Sequence, residues 1–399
     1  MESFIDSIGV AVHLNYGDTA YRNYEDLIKP RLVELGIRHI RGGVAPEDEK
    51  ILERFRDLGK MGIRSTIVMD PRRVSDASQA VQLAKSLQGS IEAVEGPNEW
   101  DIHPELTYGG QPFPEGVRRF QAELYQAIKS DPATRDLTVL SPSMARSQNI
   151  GQLGQVACNV GNMHSYPGGK KPTELLYQKW VEPAQTLCPN HLIAASETGY
   201  HNAINKPEKG HQPGVSELAA AKYTTRLVLE YFNRGIQRAY SYELIDLKPN
   251  PEHDQPNLNY GLLRSDGTRK SDFVAVRNLI QILQDVSEIT DVSQHQKHPS
   301  PSYTLEGEDY RTRSILLEGK RNAFYLILWQ DVSSFDLEQK KDLQVPEQEI
   351  TIVFEPKVSQ AFTYLPIDSI EPKSSFSQRH RLSVEVPDHP LIVKLVNFQ

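Results

Sequence analysis

Ile91-Glu92-Ala93-Val94-Glu95-Gly96-Pro97-Asn98-Glu99-Trp100-Asp101 reads as a short apolar strand that enters a Gly-Pro turn and presents an Asn-Glu pair. Roughly a hundred residues on, His191-Leu192-Ile193-Ala194-Ala195-Ser196-Glu197-Thr198-Gly199-Tyr200 is a second apolar strand that ends in a carboxylate. A strand that stops at a glutamate, twice, raises the question of what sheet carries both.

The flanking sequence answers it. Before the Glu99 strand lie Ile8 to Leu14, Ile37 to Gly43 and Ser65 to Met69, each an apolar run followed by a helical pattern: Tyr24 to Leu35, then Ile51, Leu52, Phe55, Leu58 and Met61 at helical spacing, then Ala77 to Leu87. After it come a helix with Val117, Phe120, Leu124 and Ile128 on one face, strands Leu137 to Leu140 and Val160 to His164, and a helix around Leu175 to Leu187. Beyond the Glu197 strand follow a helix from Glu217 to Asn233, a strand from Gln237 to Leu244 and a helix from Ser271 to Gln284. Eight strands alternating with helices, with no glycine-rich phosphate loop after the first, predict a (β/α)8 TIM barrel rather than an open doubly wound sheet.

Near Asp291 to Pro301 the pattern changes from helical spacing to two-residue alternation. Residues 1–290 are therefore expected to form the α/β barrel and 291–399 a C-terminal all-β sandwich, with strands at Phe324–Trp329, Ile350–Phe354 and Leu391–Val396. Strands at the start of the second domain are candidates to pair with Ile8.

Composition narrows the function. A net charge of -8 and no long Lys/Arg run remove the electrostatic term that nucleic acid or an anionic membrane would need. No window reaches the roughly 18 apolar residues of a span, and Met1-Glu2-Ser3-Phe4 lacks the start of a signal peptide, so the chain as written reads as cytoplasmic, or as secreted if a leader has been removed. The two cysteines, Cys158 and Cys188, are expected as buried thiols, a single bridge being the alternative. The histidines are scattered without a ligand-type spacing, so neither a metal nor a cofactor is expected.

In a barrel, polar residues at the C-terminal tips of strands are the candidates for chemistry. Glu99 and Glu197 cap strands four and seven, across the mouth from each other, and two such carboxylates suit glycosidic bond cleavage: one acid protonates the leaving oxygen and the other attacks from the far face. Asn98 is placed to bind a sugar 2-hydroxyl, while His164, Tyr166 and Arg41 are placed to hold Glu197 ionised. Burial and the nearby charge are expected to keep Glu99 protonated. Trp100, Tyr200, Tyr242 and Tyr108 are candidates for stacking on sugar faces, and each also suits a core. His13, Asp101, His103, His201 and Glu243 are weaker candidates for binding hydroxyls.

Asn98-Glu99 after strand four, Glu197 at strand seven, Arg41 after strand two and His164-Ser165-Tyr166 after strand six together resemble the clan A retaining glycoside hydrolases. Tyr260 to Lys270 is similar to the segment that leads into the last barrel helix there, and the appended β-domain is similar to that of the β-xylosidase and iduronidase branch. The resemblance implies Glu99 as acid/base and Glu197 as nucleophile, acting on a β-linked oligo- or polysaccharide. The chain departs from that pattern at strand eight, where Tyr242-Glu243 stands in place of a tryptophan. A transglycosylase using the same two glutamates, or a barrel that binds carbohydrate with little turnover, are the alternatives. Polar loops from His103 to Pro114 and from His201 to Gly214 point to an elongated cleft and endo action; oligomeric state is left open.

Overall fold

The structure, a computed structural model, describes residues 1–206, 211–284, 300–320 and 323–398. Strands β1 (Ile8–Ala11), β2 (His39–Gly42), β3 (Arg64–Val68), β4 (Ile91–Glu95), β5 (Thr138–Leu140), β6 (Val160–His164), β7 (Leu192–Thr198) and β8 (Ile236–Ser241) close into a parallel barrel, β8 pairing back to β1. The helices are α1 (Glu2–Asp6), α2 (Lys29–Leu35), α3 (Glu49–Lys60), α4 (Ala77–Ser86), α5 (Glu115–Ser130), α6 (Ile150–Leu153), α7 (Glu182–Leu187), α8 (Glu217–Asn233) and α9 (Ser271–Gln284). A turn of π-helix precedes both α2 and α7.

The sequence signals that start these helices act locally. Asp48, Asp76 and Ser216 accept hydrogen bonds from Ile51, Gln79 and Ala219 N–H groups, satisfying donors that the first turn leaves open. Ile51, Leu52, Phe55 and Leu58 of α3 are buried, and so are Phe273, Val276, Leu279, Ile280 and Leu283 of α9. Met61 is not: it caps α3 and is 44 % exposed, because the helix ends before its spacing can bring it inward.

At the bottom of the barrel His39 contacts Asp6 and Glu92, and Arg238 contacts the same two carboxylates. Above them Thr66 and Tyr240 hydrogen bond across the interior at 2.8 Å. The opposite, C-terminal end is left for polar side chains.

A six-stranded antiparallel sheet follows: β9 (Ser302–Glu306), β10 (Thr312–Glu318), β11 (Phe324–Gln330), β14 (Gln348–Tyr364), β15 (Ser374–Val386) and β16 (Leu391–Phe398), with a small ribbon of β12 (Phe335–Asp336) and β13 (Lys341–Asp342) inserted. The first half of β14 pairs with β9 and the second half with β16, with a register break between Val353 and Val358. The sheet thereby curls over its own core of Leu326, Leu328, Ile350, Ile352, Phe354 and Leu382. β1 pairs with β2 and β8 and takes no part in this sheet; the N-terminus meets the β-domain through the Met1 ammonium, which donates to Glu318 O, and through Glu2, which pairs with Lys320. The expected change of pattern at 291 lies outside the described residues.

The β-domain seats on α8. Trp329 Nε1 donates to Glu230 Oε1 at 2.8 Å, and Arg226 donates to the carbonyls of Gln330 and Val332. The cysteine expectation is corrected: Cys158 and Cys188 form a disulfide, because the loop before β6 and the C-terminus of α7 bring their Cα atoms to 6.0 Å. Among the described residues no helix is long and apolar enough to cross a membrane.

Candidate active site

β4 ends at Glu95, and the chain then turns at Gly96-Pro97 so that Asn98 bridges to Ser143 beyond β5. Glu99 follows in the left-handed region, at φ 55°. A non-glycine residue held there is costly by roughly 1–3 kcal/mol and persists where surrounding contacts fix it. Here Glu99 N–H donates to Ser143 O at 2.9 Å, and Asp70 accepts from Asn98 N–H and from Trp100 Nε1. The turn is thus pinned on both sides of Glu99.

On the facing strand a register irregularity between β6 and β7 makes His164 the direct neighbour of Glu197. Tyr166 OH donates to Glu197 Oε2 at 2.7 Å, and Arg41 Nη1 donates to Oε1. Arg41 is buried and also donates to Glu95 through Nε at 3.0 Å and Nη2 at 2.7 Å, and to Asn98 Oδ1 at 2.6 Å. Because a guanidinium only donates, the Asn98 atom facing it is the carbonyl oxygen, which turns the amide nitrogen away from Arg41. Glu99 and Glu197 each offer a carboxylate oxygen within 4.8 Å of the other.

The charges are set by burial against these contacts. Burial pushes the Glu95 carboxyl up, but the charges of Arg41 and His164 outweigh it and hold Glu95 down at about 2. For His164 burial acts downward, and the surrounding carboxylates of Glu197, Glu95 and Glu99 override it, raising the imidazole to about 10. Glu99 is the correction. Burial does raise it, as expected, yet the His164 hydrogen bond and the charges of His164 and Arg41 leave it below its ordinary value. His164 Nδ1 lies 2.7 Å from Glu99 Oε1, so the proton assigned to the glutamate rests on the histidine. His164 therefore serves Glu99 more directly than Glu197, which is 3.6 Å from Nδ1.

Glu99, His164 and Glu197 also have the spacing of a cation site. Both Glu197 oxygens, however, are already engaged by Arg41 and Tyr166, and a protonated His164 offers no lone pair toward Glu99. The trio is arranged for proton transfer rather than for coordination.

Other candidates divide. His13, Tyr242 and Glu243 border the same cup: Tyr242 OH lies 3.2 Å from His13 Nε2, which lies 3.5 Å from Glu243 Oε2. Burial first lowers His13 to about 4, leaving it neutral. Burial likewise raises Glu243 well above the usual carboxylate range; its Oε2 accepts from Tyr21 OH, and its Oε1 has no partner among the described residues.

Four candidates are corrected. Trp100 is 1 % exposed and packs with Val117 and Met144 beneath the turn, so it presents no face to a sugar. Asp101 accepts from Ala145 N, Arg146 N and Asn149 Nδ2 and clamps the loop after β5. Tyr200 stacks on Tyr223 and donates to Lys170 O. His201 spends both ring nitrogens on Gln212 O and Ala203 N. Tyr108 and His103 lie on the connection before α5, bonded to Glu123 and Glu105.

Sequence reasoning missed Glu95, a second carboxylate at the C-terminal end of β4, four residues before Glu99. It also missed Tyr260, which meets Tyr166 and Tyr242 edge to face and whose OH accepts from Gln212. Asp70, at the end of β3, had no signal beyond its position.

The fold is similar to that of a family 39 glycoside hydrolase. That protein, from the gut symbiont Bacteroides cellulosilyticus WH2, matches over 99 % of this chain and 82 % of its own, with a TM-score of 0.67 and 14 % identity. A GH5_18 protein from Streptomyces cattleya, in complex with Manβ1-4GlcNAc, matches over 70 % of this chain and 81 % of its own, with a TM-score of 0.50 and 15 % identity. The first likeness spans barrel and β-domain together and the second covers a smaller share of the chain. The sequence matches no family model and no curated protein.

Proposed function

We propose that this chain is a retaining glycoside hydrolase acting on a β-linked oligo- or polysaccharide. The observation that carries the reading is the approach of the Glu99 and Glu197 carboxylates to within 4.8 Å. Direct attack on the anomeric carbon needs carboxyl groups roughly 5–5.5 Å apart, whereas an inverting enzyme leaves roughly 6.5–9.5 Å for a water.

In the first step Glu197 attacks the anomeric carbon and the glycosidic oxygen leaves with a proton from Glu99, giving a glycosyl ester on Glu197. In the second, Glu99 takes a proton from water as the water oxygen displaces Glu197. The 2.7 Å bond between His164 and Glu99 supports this assignment, since it lets the proton stored on the imidazole pass to the carboxylate when the leaving group needs it. Arg41 and Tyr166 hold Glu197 in line and stabilise it as it is released.

The connection between β4 and α5 is exposed over most of residues 101–114, which leaves room for several sugars and supports endo action. The disulfide supports an oxidising compartment. The test is intact-protein mass spectrometry after incubation with activated 2-deoxy-2-fluoro glycosides, with Glu197→Gln as control. A covalent adduct on Glu197, absent from the variant, is expected. Azide rescue of Glu197→Ala should return product of inverted configuration; undiminished hydrolysis by that variant overturns the proposal.

A further inference from the structure

Three arginines stand where β2 and β3 end. Arg41 is matched by Glu95 and Glu197. Arg72 is matched by Asp70, with Nε and Nη2 each 2.8 Å from a carboxylate oxygen, and Nη2 also donates to Asn98 O at 2.8 Å. The Arg73 guanidinium has no hydrogen bond or ion pair among the described residues. It is nevertheless only partly exposed.

Its position is built, not loose. A methyl group on Gly43, just past β2, would fall 1.5 Å from Arg73 Nη1, so the guanidinium lies against the Gly43 backbone. Tyr16, which acts electrostatically on Arg73, is stacked on His13 at 4.4 Å between ring centroids. Arg73 in turn acts on His13, which reaches Tyr242 over the floor of the site. The guanidinium therefore borders the cup that holds Glu197, on the side formed by β1, β2 and β3.

We infer that Arg73 is a specificity residue that binds an anionic substituent, carboxylate or sulfate, on the saccharide substrate; the inference rests on the glycosidase reading above. Burial lowers its proton affinity and Arg72 and Arg41 repel it, while Asp70, a carboxylate that acts on it, is committed to Arg72, Asn98 and Trp100. A partly buried cation without a counter-ion is costly. An anion delivered by the substrate removes that cost and is matched by the planar fork of donors that Arg supplies. A neutral sugar at the same place leaves the charge unmatched.

The test is titration calorimetry on the full chain with oligosaccharides of glucuronoxylan, mannuronan and carrageenan, each against its carboxyl-reduced or desulfated counterpart. At low salt at least one anionic member should bind about tenfold more tightly than its neutral partner, the scale of one charge-assisted hydrogen-bond pair. The preference should shrink with added salt, persist in part in Arg73→Lys and fall to about twofold or less in Arg73→Gln. Which pair shows it decides between carboxylate and sulfate. Equal or tighter binding of the neutral member in every pair overturns the inference, as does a preference that survives Arg73→Gln. Binding needs no turnover, so the two readings separate. Anion preference without any product leaves the Arg73 site standing and the hydrolase not, and cleavage of neutral members alone does the reverse.

Discussion

His164 Nδ1 and Glu99 Oε1 are 2.7 Å apart, and the proton between them rests on the imidazole. Three carboxylates around one buried histidine reverse the usual effect of burial. The folded protein therefore binds that proton more tightly than the unfolded chain does. His164 is raised from 6.5 to about 10, so its contribution to stability is fully present below pH 6.5 and is lost as pH rises toward 10. Urea denaturation at pH 6, 8 and 10 should show the wild-type midpoint falling over this window by more than that of His164→Gln. Parallel midpoints in the two proteins would show that the histidine is not charged.

Arg41 serves two buried carboxylates at once, and this predicts an asymmetric mutant cycle. Arg41→Gln leaves buried Glu95 with only the His164 imidazolium, 3.9 Å away, to balance it and should cost about 3 kcal/mol. Adding Glu95→Gln removes the stranded charge, so the double variant should be more stable than Arg41→Gln alone. Chemical denaturation of the three variants measures the cycle; additive losses would mean that the pair does not interact.

The barrel was legible because its signals are local. Val160–His164, Glu217–Asn233 and Ser271–Gln284 form the expected elements, since strand alternation, caps and helical spacing act within a few residues. Glu99 and Glu197 were legible as strand tips that the topology brings face to face. What could not be read depends on side-chain direction. Trp100 and Asp101 follow Glu99 directly, yet the left-handed turn sends them under the site instead of into it. The location of the acid proton was missed for the same reason, because it requires knowing that His164, Glu95 and Arg41 converge on one point. Strand eight shows the limit from the other side: Glu243 was seen as a departure, but only packing shows that it is shut away beside Tyr21.

The disulfide gives a prediction that is independent of the active site. Cys158 and Cys188 are 30 residues apart in sequence, and closing such a loop in the unfolded chain is worth about 3–4 kcal/mol in the chain-entropy picture. Cys158→Ala with Cys188→Ala should lower the thermal midpoint, and a reducing agent should lower the wild-type midpoint but leave the double variant unmoved. An unchanged wild type under reduction would mean that the bridge is not formed in solution.

Glu243 yields a prediction with the opposite pH dependence from an ordinary carboxylate ion pair, which loses stability on acidification. Its side chain is fully buried, one oxygen accepts from Tyr21 OH, and the other is unpartnered among the described residues. Burial raises it well above 4.5, so folding must keep the carboxyl protonated at a pH where the unfolded chain would ionise it. For a group whose folded value is raised, the stability it allows is complete below its unfolded value and is lost as pH climbs above it. The wild type thus carries a penalty that grows as pH rises above 4.5 until the folded group itself ionises. Glu243→Gln keeps the shape and removes the titration. Its stability relative to wild type should therefore improve as pH rises above 5, measured by urea denaturation at each pH from 5 to 8. The added amide donors must still find acceptors near His13 and Tyr21, which fixes the offset between the curves but not their slope. A difference that stays constant over this range would show that Glu243 is ionised in the folded protein, its charge balanced by a proton on His13, 3.5 Å from Glu243 Oε2.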